Sequence, residues 1–230
     1  MTVDLLERGA AALGDLVDQV VFVGGATIVL WITDPGAPAP RPTNDVDVVI
    51  EVTTPNAFHD FQARLRARGF REDIDSGVIC RWRYDDGDDL VLDAMPAAGG
   101  LLGFDNPWQT AAMPHAVHHT LPSGARIRAI TPPYLVATKL ATFASRGSGD
   151  HLGSRDLQDI ISLIDGREEL VAEIGDSNDD LREFVAAELA ALLDQPRFLD
   201  ALLGLLRTDT ANQARADTVV IPRLRALTGG

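Results

Sequence analysis

The sequence predicts an α+β protein: a lobe of mixed strands and flanking helices over residues 1–130, then an all-helical lobe over residues 131–230. Two patterns predict this division. Up to residue 130, short β-branched or apolar runs bounded by Gly, Pro, Asn and Asp alternate with a few amphipathic stretches, as in a sheet with helices laid against it. From Thr131 onward the apolar residues recur only at helical spacing, with breaks at Gly147, Gly166, Gly175 and Pro196.

The elements follow in order. Asp4 to Leu16 carries Leu5, Leu6, Leu13 and Leu16 among alanines, an amphipathic helix. Val20 to Val23 is a strand closed by Gly24 and Gly25, and Ala26 to Ile32 is a helix after that tight turn. Residues 33–42 hold Pro35, Pro38, Pro40, Pro42 and Gly36, which predicts a mobile surface loop. Asp45 to Val52 is a strand, and Ala57 to Arg68 a helix with Phe58, Phe61 and Leu65 on its apolar side. Val78 to Tyr84 and Leu90 to Ala94 form a hairpin about the acidic turn Asp85 to Asp89. Residues 95–113 are expected as loop, and a second hairpin joins Ala116–Leu121 to Arg126–Ile130 through Pro122, Ser123 and Gly124. Helices are then expected at about 132–145, 155–165, 167–174, 179–193, 196–206 and 212–227. Thr131 serves as N-cap and Pro132 as the first residue of the first of them.

Composition narrows the function classes. With 230 residues, 46% hydrophobic and 23% charged, the chain can bury one sizeable core or two packed lobes, which excludes disordered and fibrous architectures. No apolar run reaches the roughly 20 residues a membrane helix needs, and Met1-Thr2-Val3-Asp4 lacks the layout of a signal peptide, so a cytoplasmic protein without membrane association is expected. Cys80 is the single cysteine, which excludes an internal disulfide and a thiolate zinc site. The net charge of −14 is spread as −8 over residues 1–130 and −6 over residues 131–230. Such a chain repels phosphate backbones overall, so a nucleic-acid substrate requires a local cationic groove. Of 20 cationic side chains, Lys139 is the one lysine.

The strongest chemical signal is Gly24-Gly25 at a strand end, followed by Thr43-Asn44-Asp45-Val46-Asp47 opening the next strand. Side chains alternate along a strand, so Asp45 and Asp47 share one face about 7 Å apart while Val46, Val48 and Ile50 enter the core. Two like charges on one face require a cation, and hard oxygen donors at this spacing suit Mg²⁺, with Mn²⁺ as a substitute. Asp93 ends the apolar run Leu90-Val91-Leu92; if its strand neighbours that of Asp45, three carboxylates converge, enough for two metal ions. Gly24 and Gly25 allow backbone N–H groups to approach phosphate oxygens. Together these features describe metal-dependent phosphoryl or nucleotidyl transfer from a nucleoside triphosphate.

A second constellation lies in the helical lobe. Lys139, Thr142 and Arg146 fall at i, i+3 and i+7 and share a helix face, a positive stripe suited to a triphosphate. Ser154 caps a helix carrying Arg155, Asp156 and Asp159, and Asp156 is placed to orient Lys139 or Arg146 or to act as a base. His115, His118 and His119 lack companion ligands and are read as surface or packing residues. Arg64, Arg66, Arg68, Arg71, Arg81 and Arg83 form the densest basic stretch, either a solvated face or the groove that an RNA end requires.

These residues resemble the minimal nucleotidyltransferases of the DNA polymerase β-like superfamily, within it the AbiEii/AbiGii (MenT-like) toxin group. The family's strand–Gly-Gly/Ser–helix and Thr-x-Asp-x-Asp look like Val23-Gly24-Gly25-Ala26 and Thr43-Asn44-Asp45-Val46-Asp47; its lysine helix and Arg/Lys-Asp-x-x-Asp helix look like Lys139 to Arg146 and Arg155 to Asp159, over roughly residues 18–165. The resemblance implies a nucleotidyltransferase-type mixed sheet, metal on Asp45 and Asp47 with Asp93 as the third carboxylate, triphosphate on Lys139, and catalytic need for Asp156. It also implies a type IV toxin with a cognate antitoxin and a tRNA or other RNA 3′ end as acceptor. The negative charge favours instead a small cationic acceptor such as an antibiotic, and a non-catalytic nucleotide- or partner-binding scaffold is the rival from another class.

Overall fold

The computed structural model describes residues 2–97, 100, 102, 106–146, 150–206 and 210–229. The helix break expected at Gly147 and parts of the loop expected over 95–113 lie outside the described residues. The chain divides into two compact units, residues 1–30 with 42–131, and residues 31–41 with 132–230. The prolyl segment 33–42 thus falls largely with the helical unit instead of the strand-bearing one.

The first unit is a mixed seven-stranded sheet with helices. Its elements are α1 (Thr2–Leu13), β1 (Val20–Val23), β2 (Asp45–Ile50), α2 (Pro55–Ala67), β3 (Arg71–Glu72), β4 (Arg81–Tyr84), β5 (Leu90–Pro96), α3 (Pro107–Ala112), β6 (Val117–Thr120) and β7 (Arg126–Ala129). The strand order is β3-β4-β5-β2-β1-β7-β6. β2 runs parallel to β5 and β1 parallel to β7, whereas the other neighbours are antiparallel. Alternation places Val46, Val48 and Ile50 of β2, Leu90, Leu92 and Ala94 of β5 and Trp82 of β4 in one core with Leu6, Leu13, Phe58, Phe61 and Leu65 from the helices. Burial of each large apolar side chain here contributes about 1.5–3 kcal/mol.

Several elements differ from expectation for local reasons. α1 stops at Leu13 because Gly14 takes a left-handed backbone (φ +53°), and a 3-10 helix covers Gly14–Gln19. The segment after Gly24-Gly25 is a 3-10 helix, Gly25–Leu30, not an α-helix. The strand expected from Val78 begins only at Arg81, since Gly77 is left-handed and ends a 3-10 turn at Ile74–Ser76. Within the expected loop 95–113, Asn106 accepts the Trp108 N–H and caps α3, with Pro107 as its first residue.

The second unit contains α4 (Pro132–Ser145), α5 (Arg155–Gly166), α6 (Leu170–Gly175), α7 (Asp179–Leu193), α8 (Pro196–Leu205), α9 (Thr210–Arg215) and α10 (Ile221–Leu227). A π-helical turn, Ala216–Val220, separates α9 from α10 where one helix was expected; Pro222 lacks the N–H a continuous ladder needs there. Ser154 caps α5 by accepting the Leu157 N–H at 3.2 Å. The prolyl segment is irregular, as its composition dictates, but it is tied down. Thr33 and Asp34 donate backbone N–H bonds to the Gly166 carbonyl at 2.8 and 2.9 Å, and Arg215 clasps Asp34 at 2.5 Å and Asp165 at 2.7 Å.

The Asp34 carboxyl is held below the usual carboxylate range, first by Arg215 and then by the Gly36 N–H, so its contribution is present near neutrality and fades as the pH falls below about 4. Burial pushes Asp165 the other way, so its contribution grows on acidification. Asp34→Asn is expected to lower Tm at pH 7 and to lose less between pH 5 and 3 than the parent; parallel slopes in thermal melts contradict this.

Candidate active site

In the first unit, cross-strand register fixes the candidate carboxylates. Asp47 of β2 lies opposite Asp93 of β5, and Asp93 lies opposite Arg81 of β4. Directly paired residues project from one face of a sheet, and Asp45, two residues before Asp47, shares it. The structure therefore brings Asp45, Asp47 and Asp93 together on a single face, the one turned away from Val46, Val48, Leu92 and Trp82.

Like charges so placed repel, and the structure supplies a cation that the composition did not single out. Arg81 donates Nε–H to Asp93 Oδ1 at 2.8 Å and Nη2–H to Asp93 Oδ2 at 2.7 Å, and Nη2 also reaches Asp45 Oδ2 at 3.1 Å. The Thr43 hydroxyl donates to Asp45 Oδ1 at 2.7 Å, which fixes the orientation of that carboxylate at the mouth of β2. The fork to Asp93, with the nearby charges of Asp45 and Asp47, raises the already high pKa of Arg81, so the guanidinium stays charged. Next to it the buried Cys80 thiol is pushed up to about 12, chiefly by burial and then by Asp93 and Asp47, and is no nucleophile.

Gly24 closes the same end of the sheet. Val23 pairs with Asp47, and Gly24 then turns left-handed at φ +72°. A Cβ built on Gly24 meets Asp47 Oδ2 at 2.0 Å, so only glycine serves here. The Gly24 carbonyl accepts from the Thr27 N–H at 3.2 Å and its hydroxyl at 2.8 Å. Gly25 is buried and starts the 3-10 helix, too short for the helix-dipole effect expected at that point.

The donor set fits a divalent ion by chemistry: three hard carboxylates share a face on which a cation already stands in. Among the described residues, no three His, Cys, Asp or Glu side chains converge closely enough to hold an ion as they stand; Arg81 has drawn Asp93 and Asp45 to itself instead.

The second unit carries the other constellation. Lys139 Nζ of α4 lies 2.7 Å from Asp159 Oδ2 and 3.1 Å from Asp156 Oδ1, both on α5. Arg146 Nη1 reaches Asp156 Oδ2 at 3.2 Å, and the Thr142 hydroxyl donates to the Thr138 carbonyl at 2.8 Å. Arg41, from the prolyl segment, forks onto Asp159 at 2.8 and 3.0 Å. The expected grouping of Lys139, Arg146 and Asp156 is thus present, but Asp159, fully buried, is its anchor. Three cations face two carboxylates, a net +1 set into a helical unit.

Arg81, Arg41 and Asp159 are the residues that sequence reasoning underweighted. Arg81 belongs to a basic stretch in which the structure pairs Arg64 and Arg68 with Asp15, Arg66 with Glu72, and Arg83 with Asp73 and Asp89. The histidines at 115, 118 and 119 form no metal cluster among the described residues. Nor is any helix there long and apolar enough to cross a membrane.

A carboxylate face beside a glycine turn on a mixed sheet, with a lysine–aspartate helix pair further along, is the residue pattern of a nucleotidyltransferase. The chain belongs to that class through the AbiEii family: the model for "Nucleotidyl transferase AbiEii toxin, Type IV TA system" matches residues 4–219. Among solved structures it is similar to the crystal structure of ANT(2″)-Ia in complex with adenylyl-2″-tobramycin, with 16% identity, a TM-score of 0.42, and coverage of 82% of this chain and 97% of that one. No curated protein matches the chain.

Two substitutions check this geometry. Gly24→Ala puts a methyl onto Asp47 and strains the backbone; it is expected to lower Tm by several degrees and to abolish transfer, and wild-type activity contradicts the packing. Asp159→Asn removes the buried negative charge shared by Lys139 and Arg41 and is expected to cost about 3–5 kcal/mol, measured by denaturant unfolding. An equal or larger loss from Asp15→Asn, at an exposed pair, contradicts the anchoring role.

Proposed function

We propose that this nucleotidyltransferase moves a nucleoside monophosphate from an NTP to an acceptor hydroxyl with release of pyrophosphate, using Mg²⁺ (or Mn²⁺), as the toxin partner of a cognate antitoxin. The observation that carries this reading is the shared face of Asp45, Asp47 and Asp93 beside the Gly24 turn. Asp45 and Asp47, with Asp93, would hold the metal. Mg²⁺ bound there supplies positive charge to the reacting phosphate and makes an acceptor hydroxyl more acidic.

The chain's own groups do the rest. Thr43 orients Asp45 through its hydroxyl, and the half-exposed Gly24 turn beside Asp47 gives phosphate oxygens a close approach to the backbone. Lys139 and Arg146 neutralise the triphosphate, and Asp156, which touches both, positions them. On this reading the helical lobe, residues 131–230, completes nucleotide binding. Asp93 either completes the metal set or takes the acceptor proton. Phosphoryl transfer is mostly positioning and electrostatic stabilisation, so each charged group removed should cost turnover more than stability.

For the acceptor, family membership supports an RNA 3′ end, such as that of tRNA. One observation favours a small cationic acceptor, such as an antibiotic: the arginines between 64 and 83 are largely spent on carboxylates, in a chain of net charge −14. Incubation with each α-labelled NTP, Mg²⁺ and either total RNA or polycationic small molecules separates the two by which product is labelled. Asp47→Ala and Lys139→Ala are each expected to lower pyrophosphate release at least about 100-fold with the far-UV spectrum unchanged. Full activity in either variant overturns the assignment.

A further inference from the structure

We propose that Arg41 is a positioning residue for nucleotide binding: by taking up the charge of Asp159 it keeps the ammonium of Lys139 available to the triphosphate. The inference rests on the reading of Lys139 above and deepens it. Two acids and three cations of the second unit form one alternating row, Arg41, Asp159, Lys139, Asp156 and Arg146. Asp159 is fully buried, so its charge must be neutralised inside the row. Arg41 forks onto both its oxygens at 2.8 and 3.0 Å, and Lys139 Nζ shares Oδ2 at 2.7 Å. With the fork in place, Lys139 is one of two cations on a single buried charge. Without the fork, that charge would fall to Lys139, and a phosphate would compete with a buried carboxylate for the same ammonium.

The backbone delivers Arg41 to this place. The prolyl segment lies along α5: Thr33 and Asp34 bond to the Gly166 carbonyl, while Arg41 reaches Asp159, two helical turns or about 10 Å nearer the start of that helix. Contact at the first anchor is close enough that a Cβ on Gly166 would meet Ile32 Cδ1 at 2.6 Å. Between the anchors Pro35, Pro38 and Pro40 fix φ, so holding Arg41 on Asp159 costs little chain entropy. The row is open at its other end, where the Arg146 side chain is 73% exposed against 21% for Arg41. Arg41 therefore acts through Asp159 and Lys139, and its bidentate, charge-assisted pairing is the geometry a lysine at that position could not reproduce.

The test reads phosphate affinity and the lysine itself. Inorganic tripolyphosphate, without divalent metal, is titrated calorimetrically into the full-length protein, so the result does not depend on the metal reading. Arg41→Gln is expected to bind it at least about tenfold more weakly than the parent, whereas Arg41→Gln/Asp159→Asn, in which no buried charge competes for Lys139, should return to the parent's affinity or better. Because Lys139 is the only lysine of the chain, ¹⁵N-lysine labelling gives one Nζ signal. In Arg41→Gln that signal should shift before ligand is added and move less on tripolyphosphate addition. Arg215→Gln, which loosens the prolyl segment at Asp34 and Asp165, should lower Tm and leave both affinity and the Nζ signal unchanged. Parent affinity in Arg41→Gln, an unmoved Nζ signal, or an equal loss in Arg215→Gln overturns the proposal. If Lys139→Ala also binds like the parent, the phosphate reading of Lys139 falls with it; if Lys139→Ala weakens binding and Arg41→Gln does not, that reading stands and the role of Arg41 falls alone. If Arg41→Gln does not fold, the double variant carries the test, and a loss of about tenfold there, as a merely structural row would give, overturns the proposal.

Discussion

The ion cluster of Arg81 with Asp93 and Asp45 is the constraint on which the first unit depends. Three acids on one face of a sheet cost stability in proportion to their proximity, and partly buried charges tolerate such crowding only with a counter-ion among them. The hairpin register that delivers Arg81 to Asp93 and the parallel register that delivers Asp93 to Asp47 are therefore electrostatic as well as hydrogen-bonding solutions. The apolar side of the same strands makes the face affordable: Val46, Val48, Leu92 and Trp82 are essentially fully buried and pin the register from beneath, since a slip by one residue would turn the acids into the core.

The helical unit solves a related problem with the opposite sign. In its cluster around Lys139 the three cations outnumber the two acids, and the fully buried Asp159 gathers Lys139 and Arg41 while Asp156 gathers Lys139 and Arg146. Such networks hold long side chains in one geometry at the cost of desolvation.

Much of this was legible in the residues. Val20–Val23, Pro132–Ser145 and Asp179–Leu193 were readable to the residue because strand alternation or helical spacing met a sharp boundary, a glycine pair, a proline or an asparagine cap. The Asp45–Asp47 pair was readable from period-two alternation, whereas Asp93 joins it only through the β2–β5 pairing. Arg81 was not seen as part of it, although the hairpin arithmetic held the signal: Tyr84 opposite Leu90 places residue 81 opposite residue 93. The β-formers Val78 and Ile79 suggest a strand from residue 78, whereas the left-handed Gly77 and the preceding 3-10 turn put its start at Arg81. The prolines of residues 33–42 predicted irregularity correctly but gave no hint of tethering, which comes from Arg41, Asp34 and Thr33 finding partners far along the chain. Such long-range polar pairs have no periodic signature.

The most direct test of the account is a crystal structure of the protein with Mn²⁺ and a non-hydrolysable NTP, with the metal located by its anomalous signal. The account predicts Mn²⁺ coordinated by Asp45 and Asp47 on the face they share with Asp93. Manganese bound away from these carboxylates, or nucleotide bound with the β2 acids making no contact to metal or phosphate, would contradict it.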